Sequence, residues 1–438
     1  MLDPTATGVA SLLGMLLLLL AGVPVGFALG AAGFAGLILG FGWDTAISQL
    51  YNLPYHVTAQ YVFATIPMFV LMGNLAATSG MARELYEAAD KWFGHMPGGL
   101  YLSTIASSAA FGAASGSSVV NTTVFTRIAL PEMLRLGYSK RMSIACIASV
   151  GTLDAMIPPS IVMVLYGIIC EVSVGKLFIA GMIPGLISVV GFIVLVRGLV
   201  YFKPELAPAR RAGAPWNERL RALLQLASVI AIFGLLMGGI YFGFFAASAA
   251  GAFGAFATLI LVLCRRKLTA RGLLGSLQDA ALITAMLFVI IIGGLLFSRM
   301  LLLTGVVPGL IDAVKALNLS PLGVVLLFSL VYFGLGVVME EVSMMVVTLP
   351  FVFPIIQAVG IDPIWFGIIV VQLIQIAMIT PPIGLTLFAA AGAARGLATM
   401  EDIFRGILPF VLLSIGIWVV LVAFPQITLW LPNTMAGR

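Results

Sequence analysis

Two polar patches interrupt an otherwise apolar chain, and their residue types suit the capture of a cation and a small polar solute. The first is Ser115-Gly116-Ser117-Ser118-Val119-Val120-Asn121-Thr122-Thr123, with Ser107 and Ser108 just upstream. The second is Gly334-Leu335-Gly336-Val337-Val338-Met339-Glu340-Glu341-Val342-Ser343. Hydroxyl and amide oxygens, together with carbonyls freed at a helix break, make neutral cages that suit a hard monovalent cation. A carboxylate-rich cage would suit calcium instead. A face of small residues used for close helix packing explains the first patch alone equally well.

Each patch is followed by a second breaker. Gly151-Thr152-Leu153-Asp154 leads to Pro158-Pro159-Ser160, and Met378-Ile379-Thr380 leads to Pro381-Pro382-Ile383-Gly384. Proline lacks an N–H and clashes with the preceding turn, so two in succession break a helix and free carbonyls upstream. Bare carbonyls are costly in lipid, and a bound cation, water or neighbouring hydroxyls can satisfy them. Pro158 and Pro381 lie 223 residues apart, and so do Pro131 and Pro354. A matched pair of interrupted apolar segments points to the binding site of a secondary transporter. The weaker order of breakers around Gly73 to Gly80 and Arg299 to Gly305 extends the duplication upstream.

Three acids stand in or beside these patches. Asp154 precedes the first Pro-Pro, and Glu340 and Glu341 sit at the second tip. An intramembrane carboxylate is a functional candidate by default. Adjacent residues cannot both face one site from a regular helix, so one of Glu340 and Glu341 must cap a helix or meet water. Arg127 is a candidate contact for a substrate anion, with pairing to Glu132 or snorkelling as the bland alternatives. Arg299 reads as a helix-end anchor.

The elements that must position these residues are helices. The chain of 438 residues is 61% hydrophobic and 9% charged, with a mean hydropathy of +1.16, far outside the soluble range. Many segments exceed the roughly 20 apolar residues of a spanning helix. An all-α polytopic membrane protein is therefore expected. Val9 to Gly42 reads as a first spanning element broken near Gly22 to Gly26, too long for a signal peptide. Residues 1–200 form an N-terminal half, with a re-entrant hairpin at about 110–130 and a broken helix at about 150–168. Residues 222–438 repeat this, with a hairpin at about 334–354 and a broken helix at about 370–390. The basic, proline-rich stretch 201–221, with Lys203, Arg210, Arg211, Arg219 and Arg221, is the cytoplasmic seam. Arg265, Arg266 and Lys267, and the Arg135, Lys140 and Arg141 loop, belong on the same side. Residues between about 222 and 263 fit two spans turning near Gly243. Repeats of this kind commonly have inverted topology. Arg83 to Asp90 is amphipathic and fits an interfacial helix or a solvated turn.

The chain also resembles a known family along nearly its whole length. Pro67-Met68-Phe69, Met96-Pro97-Gly98-Gly99-Leu100, Ser115-Gly116-Ser117-Ser118, Ala129-Leu130-Pro131-Glu132-Met133, Ile157-Pro158-Pro159-Ser160, Trp365-Phe366-Gly367 and Thr380-Pro381-Pro382-Ile383-Gly384 carry the likeness. Together they resemble the large membrane subunit of TRAP (tripartite ATP-independent periplasmic) transporters, within the ion transporter superfamily. The resemblance implies an elevator-type, sodium-driven carrier of a small organic acid in the bacterial inner membrane. It implies two partners, a periplasmic substrate-binding protein and a small membrane subunit of about four helices. By the same analogy one sodium lies between Ser115, Gly116, Ser117, Ser118 and Gly151-Thr152. A second lies between Gly336 to Met339 and Thr380-Pro381. Asn121, Thr122, Asp154, Arg127, Glu340 and Glu341 are the substrate candidates. Asn121 to Thr123, Asp154 and the Glu340-Glu341 pair depart from the usual pattern, which leaves the substrate open.

A carrier working alone, coupled to protons or another cation, is the alternative transporter reading. An enzyme finds no support: no nucleophile–histidine–acid set, phosphate loop or metal-ligand spacing is present. Neither His56 nor His95 lies in a patch, and Cys146, Cys170 and Cys264 are scattered.

Overall fold

The computed structural model describes residues 3–208, 213–336, 339–382 and 384–435, and every regular element among them is helical. Arg210, Arg211, Val337, Val338 and Ile383 lie outside the described residues. The first half runs α1 (Pro4–Leu20), α2 (Val25–Phe41), α3 (Trp43–Thr58), α4 (Thr65–Thr78), α5 (Met81–Phe93), α6 (Gly99–Ser115) and α7 (Ser118–Arg135). It continues through α8 (Lys140–Val150), α9 (Leu153–Met156), α10 (Ile161–Ile169) and the 29-residue α11 (Val174–Phe202). The second half runs α12 (Trp216–Tyr241), α13 (Ala247–Cys264), α14 (Ala270–Leu303), α15 (Val306–Ala316), α16 (Pro321–Gly336) and α17 (Glu341–Ala358). It ends with α18 (Pro363–Ile379), α19 (Leu385–Ala393), α20 (Met400–Ala423) and α21 (Gln426–Asn433). Six described helices are long and apolar enough to cross a membrane, or up to eight if each bent pair is one crossing. This is a multi-pass membrane protein.

Local sequence explains where these helices start and stop. Gly80 and Gly305 adopt positive φ (76° and 78°) and open α5 and α15 in the same way; only glycine does so without strain. Asp362 caps α18 by accepting from the Ile364 and Trp365 N–H groups at 2.8 and 2.9 Å, with Pro363 at the first helical position. Thr399 and Asp402 form a capping box on α20. The stretch read as one interrupted span from Val9 to Gly42 is instead two helices of 17 residues packed on each other, α1 and α2. Gly22, at φ 82°, and Pro24 reverse the chain there rather than kink it.

Spacing in the structure follows the spacing of the breakers. α7 and α17 are each 18 residues long and start 223 positions apart; α8 and α18 also start 223 positions apart. Pro158-Pro159 and Pro381-Pro382 are both cis and are followed by nine-residue helices, α10 and α19. Packing exchanges between the halves: α2 lies along α14 and α13 along α4, while α10 packs on α17 and α19 on α7. Glycines permit the close crossings. A Cβ on Gly33 would meet the Phe297 backbone at 2.8 Å, and one on Gly251 the Thr65 carbonyl at 3.1 Å. Small residues let backbones approach where no hydrophobic driving force acts between helices.

The basic loops gather at one end. The Leu206 carbonyl accepts from Tyr101 Oη at 2.8 Å and from the Ser139 N–H at 3.1 Å, so the seam, the start of α6 and the α7–α8 loop meet. α5 buries Met81, Ala82, Leu85, Tyr86, Ala88 and Ala89. Its Glu84 pairs with Arg265 and Lys267, and its Lys91 with Glu218.

Candidate functional site

The first patch is a helix–break–helix hairpin docked on the broken helix. α6 ends at Ser115, Gly116 takes φ 61°, and α7 starts at Ser118. The legs, 99–115 and 118–135, reach beyond the 110–130 expected, because Gly98 at φ 71° opens α6 earlier. The interrupted helix likewise starts at Lys140 rather than near 150, with α9 and α10 meeting at a 42° bend.

Side chains stitch the hairpin to the break. The Ser118 hydroxyl donates to Asp154 Oδ1 at 2.8 Å, and both residues are 1% exposed. Ser108 Oγ is 3.1 Å from both Asn121 Oδ1 and the Val150 carbonyl, while Asn121 Nδ2 donates to the Ser108 carbonyl at 3.2 Å. Gly112 leaves the space for this: a Cβ there would lie 2.9 Å from Asp154 Cβ and 3.3 Å from Asn121 Nδ2. Gly151 faces Thr122, where a Cβ would overlap the hydroxyl oxygen. Two buried hydroxyls here, Ser115 Oγ and Thr122 Oγ1, have no hydrogen-bond partner. Gly73 on α4 presses on the Ser115 backbone, where a Cβ would collide with the Ser115 carbonyl.

The second site repeats this approach with different chemistry. Gly336 closes α16 against α18, leaving no room for a Cβ beside Ala377, three residues before Thr380. The Thr380 hydroxyl donates to the Ile376 carbonyl at 2.6 Å, and the Met378 carbonyl accepts from the Thr386 hydroxyl at 2.8 Å. Met339 is partly buried and its N–H donates to the Leu335 carbonyl at 2.8 Å. Glu340 is exposed, caps the start of α17 and accepts from Ser343 Oγ at 3.1 Å. Glu341 turns inward: its Oε2 is buried without a hydrogen-bond partner, and Asp154 and Glu340 are the charged groups that act on it. The two halves also touch directly, since Gln375 Nε2 donates to the Thr152 carbonyl at 2.6 Å from a position 223 residues later. These two are therefore counterparts under the repeat spacing.

The sequence profile of the family described as "Tripartite ATP-independent periplasmic transporter, DctM component" matches residues 12–427. The chain belongs to that family. A C4-dicarboxylate TRAP transporter large permease of Pseudomonas aeruginosa is 34% identical, covering 92% of this chain and 93% of that one. The ectoine/5-hydroxyectoine large permease of Ruegeria pomeroyi is 30% identical, over 96% and 97%. The isethionate permease DctMQ of Oleidesulfovibrio alaskensis is 28% identical over 94% of this chain, which spans only 64% of that protein's length. In structure, the chain is similar to the Alcanivorax borkumensis YdaH transporter, with a TM-score of 0.62 at 14% identity over 98% and 99% of the two chains. That likeness concerns the fold. The named relatives are transport permeases, and this family member is not an enzyme.

Not every residue singled out from the sequence converges. Gly116, Ser118, Asn121, Thr122, Gly151, Thr152 and Asp154 meet at the first break, with Ser115 and Ser117 at the hairpin tip beside them. At the second, Gly336 packs on the helix that ends before Thr380 and Pro381, and Met339 and Glu341 flank the start of α17. Arg127 is exposed on α7, and Glu132 is held by Arg135 Nε and Nη2 at 2.9 and 2.6 Å. Arg299 is exposed and donates to Gln49 Oε1 at 3.1 Å. Ser108 was read beside the first patch, whereas Gln372 and Gln375 were not singled out from the sequence. Two glutamines in the apolar run of α18 were the available signal, and Gln375 also sits at the repeat offset from Thr152.

Proposed function

We propose that this protein carries a small organic acid across the bacterial inner membrane together with sodium, receiving it from a periplasmic binding protein. A small membrane subunit of about four helices completes the carrier. The observation that carries this reading is a glycine on each hairpin set against the broken helix with almost no room for a side chain, Gly112 against Asp154 and Gly336 against Ala377. Such irregular backbone is retained in a membrane where it is buried in protein or lines a cavity. For sodium, the support is chemical. Ser115 Oγ is a buried neutral oxygen without a partner, at the tip of the hairpin that docks on the broken helix. An unpartnered buried oxygen is costly unless something occupies it. Sodium would be held there by Ser115, Gly116, Ser117, Ser118, Gly151 and Thr152. At the second break the holders would be Gly336, Met339, Thr380 and Pro381.

The two halves are read as repeats of inverted topology. The equal spacing of α7 and α17, the exchanged packing of α2 on α14 and α13 on α4, and the Gln375–Thr152 bond between repeat counterparts support this. Reciprocal contacts are what a two-fold relation produces. Movement of the hairpins and broken helices as one body against α2, α4, α13 and α14 is the matching elevator mechanism.

Sodium-dependent uptake in proteoliposomes holding the complete membrane complex, supplied with its binding protein and screened over organic acids, tests the reading. Uptake is expected only with an inward sodium gradient. Equal uptake with sodium replaced by choline would sink the coupling, and uptake without binding protein would favour the carrier working alone.

A further inference from the structure

We propose that the substrate carries a cationic nitrogen beside its acid group, and that Asp154, aided by Glu341, receives it. The inference rests on the transporter reading above and narrows it to a substrate class. Asp154 is 1% exposed, and its side chain accepts from a neutral partner, the Ser118 hydroxyl. Among the described residues no lysine or arginine is buried, and Arg127 faces outward. Glu341 adds a second carboxylate whose buried Oε2 lacks a donor. A buried carboxylate is stable only when paired and hydrogen-bonded. In their ionised form two of them with no basic neighbour repel a dianion and attract a cation, whose charge in turn favours that form.

A second observation points to a ligand at this place. Thr122 stands one helical turn after Ser118 on α7, is 0% exposed, and its unpartnered hydroxyl is aimed at Gly151, three residues before Asp154. Glu341 Oε2 thus lacks a donor, and the Thr122 hydroxyl, which can accept as well as donate, lacks any partner. An ammonium brings three N–H donors with its charge and no acceptor. Sodium satisfies oxygens too, but it does not distinguish an amine from an alcohol. That difference makes the proposal testable.

The probes are matched pairs in which a hydroxyl replaces an ammonium: alanine and lactate, aspartate and malate, taurine and isethionate. Binding is measured by equilibrium dialysis on the complete membrane complex in nanodiscs at saturating sodium. At least one amine is expected to bind about tenfold more tightly than its hydroxy twin. Asp154→Asn and Glu341→Gln should each shrink that ratio severalfold. Sodium-induced thermal stabilisation of each variant shows that it has folded, and either variant alone suffices if the other does not. Ratios at or below one in every pair, a preference indifferent to both variants, or no amine bound at millimolar concentration would each overturn the proposal. Sodium-driven uptake of hydroxy acids alone would overturn it while leaving the transporter reading standing. Failure of sodium to drive uptake of any acid would remove that reading as well.

Discussion

Gly151→Ala is the sharpest perturbation of the first break. The added Cβ would overlap Thr122 Oγ1 and lie 3.0 and 3.1 Å from Thr122 Cβ and Cα. Thr122 cannot simply turn away, because it is fully buried and a β-branched side chain in a helix has few χ1 wells. Overpacking of this kind costs about 1–3 kcal/mol. If the hairpin must seat on the break to hold sodium, the sodium concentration for half-maximal uptake should rise by roughly 5- to 150-fold, at about 1.4 kcal/mol per decade. Thr122→Ala removes the overlapping oxygen, so the double variant should recover part of the loss. A coupling of about 1 kcal/mol between the sites is expected from contacting residues. The assay is a sodium titration of uptake for the wild type, both single variants and the double variant. A rise below about twofold for Gly151→Ala, or strictly additive effects, would refute the reasoning.

Two further outcomes follow from the same geometry. Gln375→Ala leaves the buried Thr152 carbonyl without its donor, so the complex should lose about 1–3 kcal/mol of stability in a denaturant titration; an unchanged midpoint would show that water replaces the amide. Arg127→Ala should alter uptake by less than about twofold, because its side chain is exposed on α7; a large loss in the uptake assay would return Arg127 to the substrate's surroundings.

The breakers were legible because their effects are local. A Pro-Pro pair ends a helix whatever surrounds it, and Gly116, Gly80 and Gly305 take φ values that favour glycine. The adjacency of Glu340 and Glu341 already required that they diverge, since neighbouring helical positions point apart. Which one turns inward depended on how α17 seats against α10 and α14, contacts between residues far apart in the chain. The reading of Val9 to Gly42 erred for a related reason: hydropathy does not separate a kink from a reversal. Arg127 could not be placed from composition, because its exposure depends on which face of α7 meets α8 and α19.

By itself, then, the sequence determined the polytopic helical class, the family, the duplicated order of breakers and their 223-residue offset. Helix breaking and hydrophobic length act over a few residues to a few turns, so one dimension records them. Only the tertiary structure decided that Thr122 meets Gly151, that Ser118 holds Asp154, and that Gln375 bonds its repeat counterpart Thr152. Those contacts join separate helices, and their geometry is fixed by how close glycines let the backbones approach. No local spacing encodes that distance.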